Sequence, residues 1–211
     1  GLGLRLRARH PIEGDDANVV TTFVYDRRGN RSAMVDPEGY TTTYGYDALS
    51  RLITVTDALD HVAVYGYDAG GNRVRATDAN GNGTDFLYDE LGRVVAIEDA
   101  LGSVVHYAYD AAGNRVVVTD AAGIATLYGY EAQARLITVT ENYVFQGPID
   151  ADSNVATAYG YDLRGNLTTI TNARGYTVTY TYDALSRLKT ETDPLGHAWE
   201  YGYDALGRRT V

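Results

Sequence analysis

Four histidines are the first residues to weigh for chemistry: His10, His61, His106 and His197. Imidazole acts as a metal ligand or general base when Cys, Asp or Glu stand at a suitable spacing. The chain has no cysteine, and no spaced Glu completes a metal site or a triad around any of the four. His61 and His197 occupy one equivalent place in a repeat, which predicts a solvated strand start for both. Asp78-Ala79-Asn80-Gly81-Asn82-Gly83 fits the first half of a calcium-binding loop, with Asp89 at its twelfth position. The repeat accounts for the same carboxylates without an ion, and no flanking helix is expected. Regular Asp pairs suggest glycoside hydrolysis, but carboxylates that return at a fixed interval satisfy backbone donors in turns and are not poised as acid and base. There is no phosphate-binding loop. The reading is therefore that the chain is not an enzyme: no catalytic, cofactor-binding or metal residue is assigned, and no cofactor is expected.

The elements behind these residues follow from a period. Tyr followed by an acidic residue recurs every 21 positions from Tyr25-Asp26 to Tyr130-Glu131, and again at Tyr161-Asp162, Tyr182-Asp183 and Tyr203-Asp204. Three residues after each acidic position comes Gly29, Ser50, Gly71, Gly92, Gly113, Ala134, Gly165, Ser186 or Gly207. Asp-x-x-Gly is type I turn chemistry, with Asp bonding backbone N–H groups and the fourth residue at positive φ. The signal returns half a period later at Asp36, Asp57, Asp78, Asp99, Asp120 and Asp193, and Pro37 and Pro194 sit where a fixed φ suits the turn. Between turns lie short segments rich in Val, Ile, Thr and Tyr, such as Leu52-Ile53-Thr54-Val55-Thr56. Short strands joined by such turns predict an antiparallel meander. The fold class expected is all-β: nine tandem β-hairpin repeats of 21 residues, about 18 strands, in a single sheet that curls or spirals because strand twist accumulates.

Residues two apart in a strand share a face, so Tyr44 and Tyr46, Tyr65 and Tyr67, and their equivalents form an aromatic ladder, completed by Phe23/Tyr25 and Phe86/Tyr88. The residue between the rings is often Gly (Gly45, Gly66, Gly129, Gly160, Gly202), leaving room on the opposite face. A second stripe, Met34, Val55, Ala76, Ile97, Val118, Val139 and Ile170, is broken only by Glu191, and is expected to pack as core against neighbouring turns of the spiral. Arg31, Arg51, Arg73, Arg93, Arg115, Arg135, Arg187 and Arg208 follow the first turns, placed either to pair with a turn carboxylate or to lie over a Tyr ring.

Composition sets the outer limits. With 28 acidic against 18 basic residues the formal charge is −10, which works against a nucleic-acid partner. No apolar run approaches the roughly 18 residues of a membrane span, and Gly1-Leu2-Gly3-Leu4-Arg5 lacks the apolar stretch of a signal peptide.

Tyr67-Asp68-Ala69-Gly70-Gly71-Asn72-Arg73 and Tyr203-Asp204-Ala205-Leu206-Gly207-Arg208 closely resemble the YD repeat of bacterial Rhs polymorphic toxins, insecticidal toxin-complex C subunits and teneurins, over residues 21 to 211. The resemblance implies a strip of β-sheet spiralling into a hollow shell, with a secreted or cell-surface parent. Implied partners are the rest of that shell and an enclosed toxin domain; a carbohydrate- or protein-binding module at a cell surface is the alternative. Complete members also carry an aspartyl self-cleavage segment and a variable toxin domain, neither of which is matched here; Asp36-Pro37 and Asp193-Pro194 are ordinary repeat turns. The organisation expected is a partial first repeat with a long loop over 1–24, strict repeats over 25–140, a long inserted loop over 141–154, and repeats over 155–211 that stop in mid-hairpin. Such a piece of a longer strip would expose strand edges that favour self-association. Glu141-Asn142-Tyr143-Val144-Phe145-Gln146-Gly147 also resembles the recognition site of potyviral processing proteases, with Gln146-Gly147 as the scissile pair and Val144 in the usual place of Tyr; chance and an engineered site both account for it.

Overall fold

The computed structural model describes residues 5–10, 19–144 and 152–210, and these contain strands and turns but no helix. The chain divides into two compact units, 1–104 and 105–211. Strands of the first are β1 (Arg5–His10), β2 (Val19–Tyr25), β3 (Arg31–Val35), β4 (Thr41–Tyr46), β5 (Leu52–Thr56), β6 (Val62–Tyr67), β7 (Arg73–Thr77), β8 (Gly83–Tyr88) and β9 (Val94–Glu98). The second unit holds β10 (Val104–Tyr109, which starts at the boundary), β11 (Arg115–Thr119), β12 (Ala125–Tyr130), β13 (Leu136–Tyr143), β14 (Val155–Tyr161), β15 (Leu167–Thr171), β16 (Thr177–Tyr182), β17 (Leu188–Thr192) and β18 (Ala198–Glu200). Within each unit every strand pairs antiparallel with the next, as the meander requires.

The turns explain why the strands stop where they do. At Asp47 the main chain closes twice, Ser50 N–H to the Asp47 carbonyl at 3.1 Å and Asp47 N–H to the Arg51 carbonyl at 3.0 Å. The carboxylate then takes what remains: Oδ1 accepts from the N–H groups of Leu49 (2.9 Å) and Arg51 (3.0 Å), and Oδ2 from Arg51 Nε (2.7 Å). Ser50 stands at φ 61° and Gly71, its counterpart one copy on, at 92°. The turn needs a short side-chain acceptor rather than a charge, since Asn172 bonds the N–H groups of Arg174 and Tyr176 in the same way at 3.0 and 3.1 Å.

The ladders are unequal. Across a first turn, pairing runs to the Tyr itself, as in Tyr44↔Val55, Gly45↔Thr54 and Tyr46↔Leu52, with one extra residue, Ile53, bulged into the return strand. Across a second turn only three pairs form near the turn, as in Ala33↔Thr43, Met34↔Thr42 and Val35↔Thr41. Successive hairpins therefore splay apart toward the first-turn edge, where backbone groups need other partners. Little apolar packing compensates: among the described residues only Ala96 and Ala125 are buried. Between the rings, a methyl group on Gly45, Gly129 or Gly160 would collide with the hydroxyl of Thr54, Thr138 or Thr169 opposite. In the copy that has Thr181 there, its hydroxyl bonds Thr190 instead, at 2.6 Å.

The long insertion begins later than its sequence suggests, because β13 continues through Glu141–Tyr143 and pairs Glu141 with Val155. Asn142 and Asn154, both at positive φ, close its base: Asn154 N–H meets the Asn142 carbonyl at 3.0 Å, and Val144 N–H meets Asn154 Oδ1 at 3.2 Å. The scissile pair Gln146-Gly147 and the loop before Asn18 lie outside the described residues.

One turn departs from the scheme. Glu131 is a methylene too long to fold back on its own turn, and its carboxylate meets the Arg135 side chain instead, while Ala134 is held at φ 59° without being Gly. Replacing Glu131 by Asp and Ala134 by Gly together should restore the carboxylate bonds and relieve the left-handed backbone, raising stability by about 1–2 kcal/mol. Urea unfolding midpoints of the variant and parent chain check this, and an unchanged midpoint would contradict the turn account.

Candidate functional site: the ring and guanidinium face

The nine Tyr of the Tyr-acidic pairs and the first ring of each pair lie on one face, and two-residue alternation puts the intervening Gly, Ala, Val, Leu or Thr on the other. The first ring is opposite the second stripe: Phe23↔Met34, Tyr44↔Val55, Tyr65↔Ala76, Phe86↔Ile97, Tyr128↔Val139 and Tyr159↔Ile170. The stripe is thus part of the ring face and half-buried by the rings.

The second ring closes the splayed junction. Tyr46 Oη donates to the Arg31 carbonyl at 3.0 Å, Tyr67 to Leu52 at 2.9 Å, Tyr88 to Arg73 at 3.0 Å and Tyr130 to Arg115 at 3.2 Å. Tyr161, Tyr182 and Tyr203 do the same to Leu136, Leu167 and Leu188. Each acceptor begins the return strand of the preceding copy, where the ladder has run out. This explains a bias in the sequence: the second ring is Tyr in all nine copies, whereas the first tolerates Phe23 and Phe86.

Arginine plays two parts, decided by one residue of spacing. Four residues after the acidic position, Arg51 pairs with Asp47, lies 4.8 Å from the centre of the Tyr67 ring in the next copy, and donates Nη1 to the Asp68 carbonyl at 3.0 Å. Arg135 repeats all three contacts with Glu131, Tyr161 and Asp162. Five residues after it, the guanidinium slots between the first rings of two copies: Arg31 between Phe23 (5.9 Å) and Tyr44 (4.3 Å), Arg73 between Tyr65 and Phe86, Arg115 between Tyr107 and Tyr128. In those copies Asn fills the fourth place, as it does before Leu167, and Asn30 and Asn166 bond both their own Asp and Ser50 or Ser186 of the next turn. Arg28 and Arg164 add bonds to the Ala48 and Ala184 carbonyls at 2.8 and 2.7 Å. Neither the alternation of the two kinds of copy nor the tyrosine bridge was read from the sequence, although Asn30, Asn72 and Asn114 against Arg51, Arg93 and Arg135 display the first.

The other candidate residues fall into turns and strands of the repeat. His61 and His197 do stand at the strand start, each with Nδ1 on the turn carboxylate, 2.9 Å from Asp57 and 2.8 Å from Asp193. His106 is an exposed residue of β10 paired with Thr119, and His10 pairs with Val19 in the backbone ladder. Asp78 and Asp89 flank opposite ends of the six-residue β8, roughly 20 Å apart at strand rise, so one ion cannot bridge them. Asp78 spends its oxygens on Asn80 and Asn82.

Electrostatics shift several turn carboxylates, two phenols and one guanidinium of this face. The His61 side-chain bond, then the His61 N–H, hold the Asp57 carboxyl below the usual carboxylate range; for Asp47 the Arg51 N–H is the largest cause. Burial, then Glu191 and Tyr201, lifts the Tyr180 phenol, and burial lifts Tyr182. The Glu131 bond raises Arg135.

Two outcomes follow from this geometry. Tyr67→Phe should cost about 1 kcal/mol by deleting the junction bond, while Tyr65→Phe costs close to nothing; chemical denaturation of both compares them, and equal losses would remove the hydroxyl's role. Because Asp47, Asp57 and Asp193 have folded pKa values below the unfolded value of 3.8, their stabilisation is present well above that value and is lost as pH falls through it toward the depressed values. Urea midpoints at pH 7, 5, 4 and 3 should therefore hold down to about pH 4.5 and drop below it.

The model of the teneurin YD-shell family matches residues 14–211. No curated protein matches the chain. Among solved structures the fold is similar to the crystal structure of TcdB2-TccC3 without its hypervariable C-terminal region, with TM-score 0.64 and 19% identity over 99% of this chain and 13% of that one. It is also similar to TcdB2-TccC3-Cdc42, with TM-score 0.60 and 18% identity over 93% and 13%, and to the Photorhabdus luminescens Tc holotoxin pore carrying a TccC3 substitution, with TM-score 0.61 and 19% identity over 92% and 13%. The chain spans about 13% of the length of these three. With 198 of its 211 residues inside the family match and its Tyr-acidic repeat recurring from Tyr25 to Tyr203, the chain belongs to the teneurin YD-shell family.

Proposed function

We propose that this chain is a non-catalytic wall segment of a YD-repeat shell, and that in its parent protein the strip spirals into a hollow body enclosing or presenting a toxin or other partner. The observation that carries this reading is the use made of the recurrent groups: Tyr hydroxyls, guanidinium groups and turn carboxylates are spent on joining each copy to the next. Groups so engaged in fastening one copy to the next suit neither proton transfer nor nucleophilic attack. The family match supports the wall role.

The turn edges support contact with further strips. Leu49, Leu91, Leu185 and Leu206 sit at first-turn tips and Leu59, Leu101 and Leu195 at second-turn tips, each 73% or more exposed. Such apolar tips are buried if other parts of the parent shell lie alongside, and in an isolated segment they favour self-association, as do free strand edges. A secreted or cell-surface parent fits the same reading; in the described residues no helix is long and apolar enough to cross a membrane.

Limited proteolysis of the parent protein tests enclosure. A domain held inside the shell should resist trypsin at concentrations that digest the same domain expressed free. Equal digestion would overturn enclosure, and glycan binding that disappears on Tyr→Ala changes along the ring face would favour the surface-binding alternative.

A further inference from the structure

The ring face changes character in one copy. At seven places the residue opposite the first ring is apolar, but in the copy spanning β16 to β18 it is Glu191, paired in register with Tyr180 on one side and Trp199 on the other. Trp199 is a second departure at the same spot, since the equivalent positions hold Thr42, Ala63, Thr84, Val105, Thr126, Thr157 and Val178. The carboxylate is half-buried among aromatic rings, and Tyr201 Oη donates to its Oε2 at 3.1 Å, fixing its direction. Ring faces carry negative potential, so a carboxylate set among them is poorly solvated and repelled by its surroundings, while a cation is attracted by both. The chain itself shows that a cation fits beside this patch: Arg209 lies 4.0 Å above the Tyr201 ring. Trp199, 51% exposed, leaves its own ring open to a ligand.

We propose that Tyr180, Glu191 and Trp199 form a recognition site for an alkylammonium group, the carboxylate supplying charge complementarity and the two rings the walls. A free quaternary amine and a methylated lysine side chain present the same chemistry. The site is independent of the shell reading, since it requires only the local cross-strand row.

Trp199 is the single tryptophan of the chain, so its fluorescence reports on this row alone. Titration with tetramethylammonium chloride, with sodium chloride exchanged to hold ionic strength constant, should give a saturable change in emission. Choline and a trimethyl-lysine peptide, compared with its unmethylated form, distinguish the two sources. Glu191→Val restores the residue type of the stripe and should keep the fold, checked by circular dichroism, while weakening tetramethylammonium at least tenfold. Tyr201→Phe, which frees the carboxylate, should weaken it severalfold with Trp199 untouched. A wild-type response no greater than that to sodium chloride, or equal affinity in Glu191→Val, would overturn the proposal.

Discussion

The array depends on how one hairpin is fastened to the next. Three ladder pairs at a second turn leave the other end of the junction open, and among the described residues there is almost no buried apolar volume to hold it shut. A phenol hydroxyl reaching the first carbonyl of the preceding return strand closes that gap, and a guanidinium laid over the same ring or between rings braces it. Each such contact is worth only about 1 kcal/mol. Stability must therefore come from repetition, each copy adding the same small set of nearest-neighbour terms.

The two turn edges differ in what they retain. First turns direct their carboxylates to Arg, Asn or backbone, and their arginines reach the following copy. Second turns use the same Asp geometry but recruit the side chains of His61, Asn82 and His197, as at Asp57, Asp78 and Asp193, or no side chain, as at Asp120. The excess negative charge of the chain thus accumulates along the second-turn edge, while the first-turn edge carries its own counter-ions.

Much of this was legible because turns are local. Asp-x-x-Gly specifies its own hydrogen bonds within five residues, so the period, the strand ends and even the equivalence of His61 with His197 can be read from composition and spacing. The long-range parts were not legible to the same degree. Whether Arg51 pairs with a carboxylate or Arg73 enters a ring stack turns on a one-residue offset after the turn, which matters only once the strand pleat and the bulge at Ile53 are known. The stripe from Met34 to Ile170 was correctly recognised as a row, but its place opposite the first rings is set by register across the hairpin. The tyrosine bridge left one trace, the tolerance of Phe at the first ring and never at the second, and its meaning required the frayed junction to be seen.

The alternation of Asn and Arg at the fourth turn position runs through most of the array and then stops. Asn30, Asn72 and Asn114 recur every 42 residues, and after the insertion Asn166 follows Arg135 and Arg187 follows Asn166, but Arg208 then places a second Arg copy directly after Arg187. At that like pair Arg187 still lies 4.4 Å from the centre of the Tyr203 ring in the next copy. An Arg copy therefore needs only the second ring of its neighbour, which is Tyr in every copy, and not a neighbour of the other kind. Recombination within such an array can then add or remove a single hairpin at an Arg copy and leave this contact standing.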